Sequence, residues 1–388
     1  MRIAIDITSA VTQSAGIGRY TRELVRALFK LNAAHTYTLF YASEKRVTLP
    51  IDPLPRGVRL RHLPFHDKWL ARVWHKLQIP IPVEWIIGPV DLFHSPDFTL
   101  PPTRPRARTL LTVHDLSFIR DPDSAVASLR RYLNRAVPRS VARADRVLAD
   151  SQATKDDLVA LFGAPPDKIT VLLSGVDARF KPIRDPAALA TVRAKYDLGS
   201  GPLILAVGTV QPRKNYVRLI QAFAQVVGQW WQVEPKWMGD VNLVIGGGKG
   251  WLFDAIFAEV MRLGLEGRVK FTGFVDEADL PVLYSAAAVF AYVSLYEGFG
   301  LPALEAMACG VPVIGSNVSS IPEVVGDAGL LVDPLDVDAI TAGLIGLLKD
   351  ASARDAFMRA GIRRAARFTW ESAARQLLSI YEAITSQM

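Results

Sequence analysis

One stretch constrains the fold of this chain more than any other, residues 289–314, which read VFAYVSLYEGFGLPALEAMACGVPVI. An apolar run at Val289–Ser294 predicts a strand, and a glycine-rich turn follows it. Pro302 suits the start of a helix and Gly310 its end, after which a second apolar run predicts another strand. Strand, turn, helix and strand in this order predict an α/β domain. The turn also leaves backbone N–H groups beside the positive end of a helix dipole, which favours a bound phosphate.

Two glutamates flank this turn, and their spacing is its most specific feature. Glu297 lies in the turn and Glu305 about one helical turn inside the predicted helix, so both carboxylates can face one pocket. The segment EGFGLPALEAMACGVPVI, with seven residues between the glutamates, resembles the signature of glycosyltransferase family 4, whose members are retaining enzymes of the GT-B type. A pair of solvated helix-end charges is the alternative interpretation, which the surrounding glycines and strands disfavour. The resemblance implies an α/β fold of two Rossmann-like domains that face each other across a cleft.

Length and composition set the outer limits. A chain of 388 residues is too long for one ordinary core and suits two domains, and 50% hydrophobic with 21% charged residues is typical of a soluble globular protein. Cys309 is the only cysteine, which excludes an intrachain disulfide and fits a reducing compartment. The chain opens on an apolar strand without a signal-peptide pattern, and its longest apolar stretch, around 282–296, is too short and polar to span a bilayer. We therefore expect a cytoplasmic protein, with peripheral attachment to the inner face of the plasma membrane as an option.

Charge is distributed unevenly along the chain. Residues 1–180 carry 26 Lys and Arg against 17 Asp and Glu, a net charge of +9, whereas the remainder carries 19 against 21, a net charge of −2. A basic first half predicts an anionic partner there: a membrane surface, an acidic lipid-linked acceptor or nucleic acid. A predicted helix over 124–143 carries a basic stripe of arginines at every fourth residue: Arg131, Arg135, Arg139 and Arg143. No aromatic interleaving or nucleic-acid motif accompanies the stripe, so we expect no nucleic-acid partner.

Residues 66–78, HDKWLARVWHKLQ, favour the membrane surface among these partners. If these residues form one regular helix, Trp69, Val73 and Leu77 share an apolar face. An adjoining basic face is formed by Lys68, Arg72 and Lys76. Aromatic and basic faces together are typical of interfacial helices. The equally weighted alternative is an ordinary surface helix that packs its tryptophans on the core.

The first half also contains two loops that resemble elements of the family. Gly16 and Gly18 lie between the opening strand and a predicted helix, which suits a diphosphate or the acceptor, although the third glycine of a dinucleotide fingerprint is missing. The segment TVHDLSF resembles the family's His-Asp element and follows a predicted strand at Thr109–Val113. The resemblance implies that His114 contacts the donor sugar and that Asp115 orients it or meets the acceptor. A lone histidine is more often structural, but its place at a strand end favours function.

A second α/β pattern begins near residue 203, and its first loop carries two adjacent cations. Arg213 and Lys214 stand where a strand meets a helix in GTVQPRKN, and cations at such a junction suit a diphosphate. Lys214 falls on the lysine position of the family's phosphate-binding loop. Thr209 stands where many members carry arginine, which leaves Arg213 to supply the second charge if its side chain turns inward.

The resemblance implies a nucleotide-sugar site that needs no metal ion and no cofactor beyond the nucleotide-sugar co-substrate. The implied catalytic residues are His114 and Glu297, and Asp115 is the implied acceptor-side residue. The implied donor-binding residues are Gly16, Gly18, Thr209, Arg213, Lys214, Phe274, Phe299, Gly300, Leu301 and Glu305. Asp336 and Asp338 form the Asp-x-Asp of another glycosyltransferase fold, but here they begin a predicted helix, where carboxylates cap the backbone.

The sequence thus predicts an N-terminal acceptor domain over 1–180, a C-terminal donor domain over 181–370 and a final helix over 371–388 that crosses back to the first domain. TVHDLSF, GTVQPRKN and YEGFGLP most resemble the mannosyltransferase-like branch that builds lipid-linked bacterial polysaccharides, which implies GDP-mannose as donor and a lipid-linked or oligosaccharide acceptor. A UDP- or dTDP-sugar donor and a non-catalytic nucleotide-sugar-binding protein are the alternatives. A nucleotide-dependent oxidoreductase is disfavoured, because the complete G-x-G-x-x-G with its ribose-binding acid is missing.

Overall fold

The computed structural model of the chain describes residues 1–13, 16–31, 35–47, 49, 51, 54–233 and 241–386. The chain divides into two compact units. The first unit consists of Met1–Ile119, Ala127–Gly175 and Thr369–Met388, and the second of Arg120–Val126 and Val176–Phe368. Ser14 and Ala15, which belong to the predicted glycine loop, lie outside the described residues.

The first unit is interrupted where the sequence predicted one continuous domain over 1–180. The structure places Arg120–Val126 in the second unit. There the indole Nε1 of Trp251 donates a hydrogen bond of 2.5 Å to the carbonyl oxygen of Ser124. The two residues are 127 positions apart in the chain, so no local pattern reports this contact.

A parallel sheet of seven strands forms the centre of the first unit, in the order β3-β2-β1-β4-β5-β6-β7. The strands are β1 Arg2–Asp6, β2 Thr36–Ala42, β3 Arg59–Leu63, β4 Leu92–Ser95, β5 Arg108–Val113, β6 Arg146–Ala149 and β7 Ile169–Val171. The helices are α1 Thr8–Thr12, α2 Ile17–Lys30, α3 Asp67–Leu70, a π-helix Ala71–Lys76, α4 Glu84–Ile87, α5 Ser117–Arg120, α6 Ala127–Arg143 and α7 Gln152–Phe162. Ile3, Ala4 and Ile5 of β1 are at most 1% exposed, because helices cover both faces of a parallel sheet.

The second unit is built around a parallel sheet of six strands in the order β10-β9-β8-β11-β12-β13. The strands are β8 Leu203–Val207, β9 Asn242–Gly246, β10 Val269–Gly273, β11 Val289–Tyr292, β12 Val313–Ser316 and β13 Leu330–Val332. The helices are α8 Pro186–Lys195, α9 Tyr216–Val233, α10 Asp254–Arg262, α11 Leu280–Ser285, α12 Leu301–Ala308, α13 Ile321–Val325, α14 Val337–Lys349 and α15 Ala351–Ala365. Strands β8 and β11 pair in parallel, so the loops that follow them start side by side at the carboxyl ends of the strands.

The last helix, α16, spans Trp370–Thr385 and packs within the first unit. Tyr381 of α16 is completely buried, and its hydroxyl lies 2.8 Å from Nδ1 of His94 at the end of β4. The other ring nitrogen of His94 lies 3.1 Å from the hydroxyl of Thr112 in β5. A buried polar contact therefore ties the C-terminal helix to the centre of the first sheet.

Two short segments differ from the strands that were predicted for them. The segment Ile321-Pro322-Glu323 follows the central unit and predicts a continuation of the second sheet, but it forms the start of α13, in which Pro322 occupies the first turn, where its missing N–H is tolerated. The opening segment MRIAIDITSA predicts one strand through Ala10, but its last three residues belong to α1, because Asp6 Oδ1 accepts a hydrogen bond of 2.8 Å from the backbone N–H of Thr8 and starts a turn.

Side chains cap the starts of α7 and α14, the second as predicted. Ser151 caps α7 by accepting a hydrogen bond of 3.1 Å from the backbone N–H of Thr154. Asp336 caps α14 through a hydrogen bond of 2.9 Å from the backbone N–H of Ala339. The Asp-x-Asp of this segment is therefore part of a helix start. Within the described residues, no cluster of three or more His, Cys, Asp or Glu is placed to hold a metal ion.

Residues 66–78 do not form the single regular helix that was predicted. They form α3 and then the π-helix, whose extra residue per turn changes which side chains share a face. Val73 and Trp74 are buried in the core, whereas Trp69 and Leu77 are exposed. The predicted face of Trp69, Val73 and Leu77 is therefore wrong. Across the helices of the described ranges, none has the length and apolar content needed to cross a membrane.

Candidate active site

The turn that opens α12 is held in one conformation by the residues around it. Gly300 precedes the helix with φ of 112°, in the region that favours glycine, and a Cβ there would lie 2.8 Å from Cδ1 of Ile321. The hydroxyl of Ser320 lies 2.9 Å from the carbonyl oxygen of Glu297 and 2.8 Å from that of Phe299. Ser319 Oγ accepts a hydrogen bond of 2.9 Å from the backbone N–H of Glu297. The start of α13 therefore fixes the backbone on which Glu297 stands.

Both cations of the GTVQPRKN loop converge on the Glu297 carboxylate. Lys214 Nζ donates a hydrogen bond of 2.6 Å to Glu297 Oε1 and one of 3.0 Å to the hydroxyl of Tyr292. Arg213 Nη1 donates at 2.7 Å to Glu297 Oε2 and at 2.6 Å to the carbonyl oxygen of Tyr296. The side chains of Lys214 and Glu297 are 9% and 7% exposed, and that of Arg213 is 17% exposed. Arg213 thus turns inward, and a buried cluster with two positive charges and one negative charge forms.

The charges in this cluster determine the protonation of its members. Burial opposes ionisation of Glu297, but Arg213 and Lys214 outweigh that penalty and lower its pKa from 4.5 to about 2. Burial and the neighbouring Glu297 carboxylate raise the pKa of Tyr292 well above 10. At neutral pH the cluster therefore contains a carboxylate, two cations and a neutral phenol, with a net charge of +1 that suits an incoming anion.

Asn215 anchors the cation loop to the end of β11. Its backbone adopts φ of 59°, in the left-handed region, and its side-chain Nδ2 donates at 2.9 Å to the carbonyl oxygen of Val293 and at 2.7 Å to that of Pro334. The backbone N–H of Leu295 donates at 2.9 Å to the carbonyl oxygen of Arg213. These contacts hold the two cations opposite Glu297, which lies more than 80 residues further along the chain.

The other predicted donor-binding residues of the second unit differ from one another in burial and in the residues that they contact. Glu305 is 2% exposed inside α12, and its Oε2 accepts a hydrogen bond of 2.9 Å from the hydroxyl of Tyr284. Phe299 is buried with its ring edge-on to another phenylalanine, whereas Phe274 is 59% exposed. Leu301 is half-buried as the first residue of α12. Thr209 follows β8 and is half-buried.

In the first unit, His114 follows β5 and is held by both ring nitrogens. Nδ1 lies 2.7 Å from Oδ2 of Asp150, at the end of β6, and Nε2 lies 3.0 Å from the carbonyl oxygen of Pro96. Burial lowers the pKa of His114, but the Asp150 carboxylate more than offsets this effect and raises the pKa to about 9. Both partners accept hydrogen bonds, so the ring donates from both nitrogens as an imidazolium.

The other predicted site residues of the first unit are Asp115, Gly16 and Gly18. Asp115 Oδ1 accepts a hydrogen bond of 2.9 Å from the backbone N–H of Ser117 and so starts α5. Gly16 precedes α2 with φ of 55°. A Cβ at Gly18 would lie 2.0 Å from the carbonyl oxygen of Gln13, so only glycine fits there.

Three residues that position the predicted site residues were missed in the sequence: Asp150, which contacts His114, Tyr292, which contacts Lys214, and Asn215, which anchors the loop that carries Arg213 and Lys214. Each lies at or just after the end of a parallel strand or in the loop that follows it, where polar groups of α/β sheets collect. Asp150 could have been found by that rule, because the sequence predicts a strand over Arg146–Asp150 and Asp150 is its last residue. The contacts of Asn215 and Tyr292 depend on which strands are neighbours, which the sequence does not report.

Two family models match the chain, and they divide it in the same way as the two sheets. The model described as Glycosyltransferase Family 4 matches residues 14–180, and the one described as Glycosyl transferases group 1 matches residues 191–364. The chain is also 35% identical over 381 residues to O-antigen chain mannosyltransferase B of Escherichia coli, covering 95% of this chain and 96% of that protein. The chain belongs to glycosyltransferase family 4.

This glycosyltransferase resembles two further proteins over most of its length. It is 28% identical over 412 residues to a serotype-specific mannosyltransferase of Escherichia coli, a match that covers 96% of this chain and 47% of that protein. Its fold is similar to that of the sucrose-phosphate synthase of Thermosynechococcus elongatus, with a TM-score of 0.76, 23% identity and full coverage of both chains. The GT-B fold class predicted from the sequence, with two Rossmann-like parallel-sheet domains, is thereby confirmed.

Proposed function

We propose that this glycosyltransferase transfers mannose from GDP-mannose to a glycan or lipid-linked glycan acceptor in polysaccharide synthesis, with retention of configuration and without a metal ion. The observation that carries the proposal is the buried cluster of Arg213, Lys214 and Glu297 beside the start of α12. Two relatives named as mannosyltransferases, one of them 35% identical over nearly the whole chain, support the choice of mannose.

The cluster can supply the charge stabilisation that sugar transfer needs. When the glycosidic bond to the nucleoside diphosphate breaks, negative charge develops on the diphosphate and positive charge on the sugar. Arg213 and Lys214 are positioned to stabilise the negative charge on the diphosphate, in the role that a divalent metal fills in other enzymes. Glu297 is ionised and can offset the positive charge that develops on the sugar. Same-face attack by the acceptor then accounts for retention.

His114 is proposed to contact the transferred sugar. The imidazolium carries a proton on Nε2 that now points at the carbonyl oxygen of Pro96. A sugar hydroxyl oxygen can replace that carbonyl as the acceptor, while Asp150 keeps the ring oriented through Nδ1. Asp115 is proposed to lie on the acceptor side of the same site.

A panel of nucleotide sugars tests the proposal. Transfer or hydrolysis is measured from GDP-, UDP-, ADP- and dTDP-sugars with EDTA present, for wild type, Glu297→Ala and the matched control Glu266→Ala, which removes an exposed carboxylate of the same unit. We expect turnover of GDP-mannose that survives chelation, is lost in Glu297→Ala and persists in the control. The product anomer, read by NMR, tests retention.

The other outcomes of the panel distinguish the alternatives. Preference for a UDP- or dTDP-sugar would show that GDP-mannose is the wrong donor and that the protein is still a glycosyltransferase. Binding of one nucleotide without turnover, even with an oligosaccharide acceptor supplied, would favour a non-catalytic nucleotide-sugar-binding protein. Turnover that stops on chelation would contradict metal independence.

We also propose that the first unit attaches peripherally to anionic membrane. Trp69 and Phe65 are 47% and 46% exposed and stack on each other with ring centres 5.0 Å apart. Trp85 and Leu77 are 67% and 63% exposed. Exposed aromatic and apolar side chains on a basic unit suit the boundary between lipid headgroups and acyl chains. Cosedimentation with phosphatidylglycerol vesicles that is unaffected by Trp69→Ser and Trp85→Ser together would contradict this attachment.

A further inference from the structure

The first unit contains a cavity of about 580 Å³ that none of the predicted site residues lines. Its walls come from the π-helix and the residues after it, from the loop before β5 and from the C-terminal half of α6. The lining side chains that matter here are Trp74, His75, Gln78, Thr103, Arg139 and Arg143. A cavity of this volume lies within the range of small-ligand sites, roughly 300–1,000 Å³.

The charged side chains that line this cavity are all positive. Arg139 and Arg143 belong to the predicted basic stripe of α6, and among the described residues that line the cavity none is acidic. Arg143 is held by carbonyl oxygens, with Nη2 donating at 2.6 Å to Pro101 and Nη1 at 3.3 Å to Leu100. Neither arginine pairs with a carboxylate in the part of the chain that the structure describes. Two guanidinium groups that line one cavity without a carboxylate partner favour an anion there.

His75 adds a group that would respond to such an anion. Burial and the nearby charge of Arg143 lower the pKa of His75 to about 4, so the ring is neutral at neutral pH. The ring of Tyr132 lies edge-on to His75, with ring centres 6.3 Å apart, and Arg139 lines the same cavity. An anion placed among these groups would counter the two arginine charges and allow His75 to take up a proton more readily.

The backbone that shapes this cavity is irregular. The segment Ala71–Lys76 is a π-helix, a conformation that occurs mostly as single turns within α-helices and is frequent at functional sites. Gln78, at the cavity wall, has φ of 56°, a left-handed conformation that costs about 1 kcal/mol or more for a residue other than glycine. The indole of Trp74 donates to the carbonyl oxygen of Ile81 at 3.0 Å and fixes the segment in place.

The cavity lies away from the candidate sugar site of the same unit. Thr103 precedes β5 and Arg143 precedes β6, whereas His114 and Asp150 follow these two strands. In a parallel sheet, the residues before the strands lie at the amino ends of all the strands, and the residues after them lie at the opposite, carboxyl ends. A ligand in the cavity would therefore occupy a second site.

We propose that this cavity binds a phosphate monoester or diphosphate anion through Arg139 and Arg143, at a site separate from sugar transfer. Lipid headgroups and soluble phosphates share this chemistry. The exposed side chains of Leu77 and Ile79 lie in the same segment as the lining residues His75 and Gln78, and this favours a lipid headgroup as the source.

The ring resonances of His75 provide a local test. Full-length protein with labelled histidines is titrated with sodium pyrophosphate, and His75 is assigned by its loss in His75→Asn. The lining variant is Arg139→Gln, and the matched control is Arg135→Gln, an exposed arginine one turn earlier on α6. We expect His75 to shift in wild type and in the control, with pyrophosphate binding at least about tenfold weaker in Arg139→Gln. A His75 signal that does not respond, or that responds equally in Arg139→Gln, overturns the proposal.

Two further arms separate this site from the donor site and distinguish its sources. In Lys214→Gln the His75 response should persist, because it does not depend on the donor cations; a lost response would assign it to the donor site and overturn the proposal. Binding to vesicles that contain phosphatidic acid, a lipid whose headgroup is a phosphate monoester, is then compared between the two arginine variants. Binding that is at least about tenfold weaker in Arg139→Gln than in Arg135→Gln identifies a lipid headgroup as the source. Equal vesicle binding, with the His75 response intact, identifies a soluble phosphate.

Discussion

Replacing Glu297 with glutamine tests the electrostatic account of the buried cluster. Arg213 and Lys214 lower the pKa of Glu297 from 4.5 to about 2 in the folded protein. A difference of about 2.5 between these values, at about 1.36 kcal/mol for each pKa unit, gives about 3 kcal/mol of unfolding free energy from ionised Glu297 at neutral pH. Glutamine has no charge to offer the two cations, so the variant should be less stable by about this amount near pH 7.

The pH dependence carries a definite sign. Because the folded pKa lies below the unfolded one, the stabilisation is complete above the unfolded value of 4.5 and is lost as the pH falls toward about 2. Wild type and Glu297→Gln should therefore differ most at neutral pH and converge in acid. The other carboxylates titrate alike in both proteins and cancel from the difference.

Urea unfolding, followed by circular dichroism at about pH 7 and about pH 3, measures this difference. The matched control is Glu266→Gln, because Glu266 is an exposed glutamate of the same unit and should unfold like wild type at both pH values. A stability difference between wild type and Glu297→Gln that stays constant with pH would refute the reasoning. So would an equal loss in the control.

Three other variants test separate contacts. Arg213→Gln removes one of two inward-facing cations and should weaken nucleotide-sugar binding at least about tenfold by calorimetry; unchanged affinity would contradict its donor role. Asp150→Asn removes the carboxylate that raises the pKa of His114, so the ring should titrate well below 9 by NMR, and an unchanged titration would contradict that pairing. Gly18→Ala would place Cβ 2.0 Å from the carbonyl oxygen of Gln13 and should cost about 1–3 kcal/mol in urea unfolding; wild-type stability would contradict the close contact.

Most strands could be predicted because each is a short apolar run bounded by turn residues. β3 was missed, since its sequence RLRHL is largely polar and exposed at the edge of the sheet. The first three residues of α13 were assigned to the sheet because the segment IPEVV is largely apolar and β-branched, although Pro322 at its second position is the signal for a helix start. Nothing in HDKWLARVWHKLQ indicated a π-helix, because that conformation depends on tertiary packing.

The residues of the candidate site could be named from the sequence, but their partners could not. Glu297, Lys214 and His114 stand in loops that follow predicted strands, where motifs are readable. The contact between Lys214 and Glu297 joins residues 83 positions apart, and that between His114 and Asp150 joins residues 36 apart. Such contacts follow from strand order, which puts β8 beside β11 and β5 beside β6.

The route of the chain through the first unit affects the order in which the protein can fold during synthesis. At roughly 5–20 residues per second, roughly 10–40 s separate the emergence of Gly175 from that of Tyr381. The second unit can complete its sheet in that interval, whereas His94 and the face of α2 wait for α16. A nascent chain stalled before α16 would therefore expose an apolar surface of the first unit, and chaperones that bind such surfaces would meet this protein there.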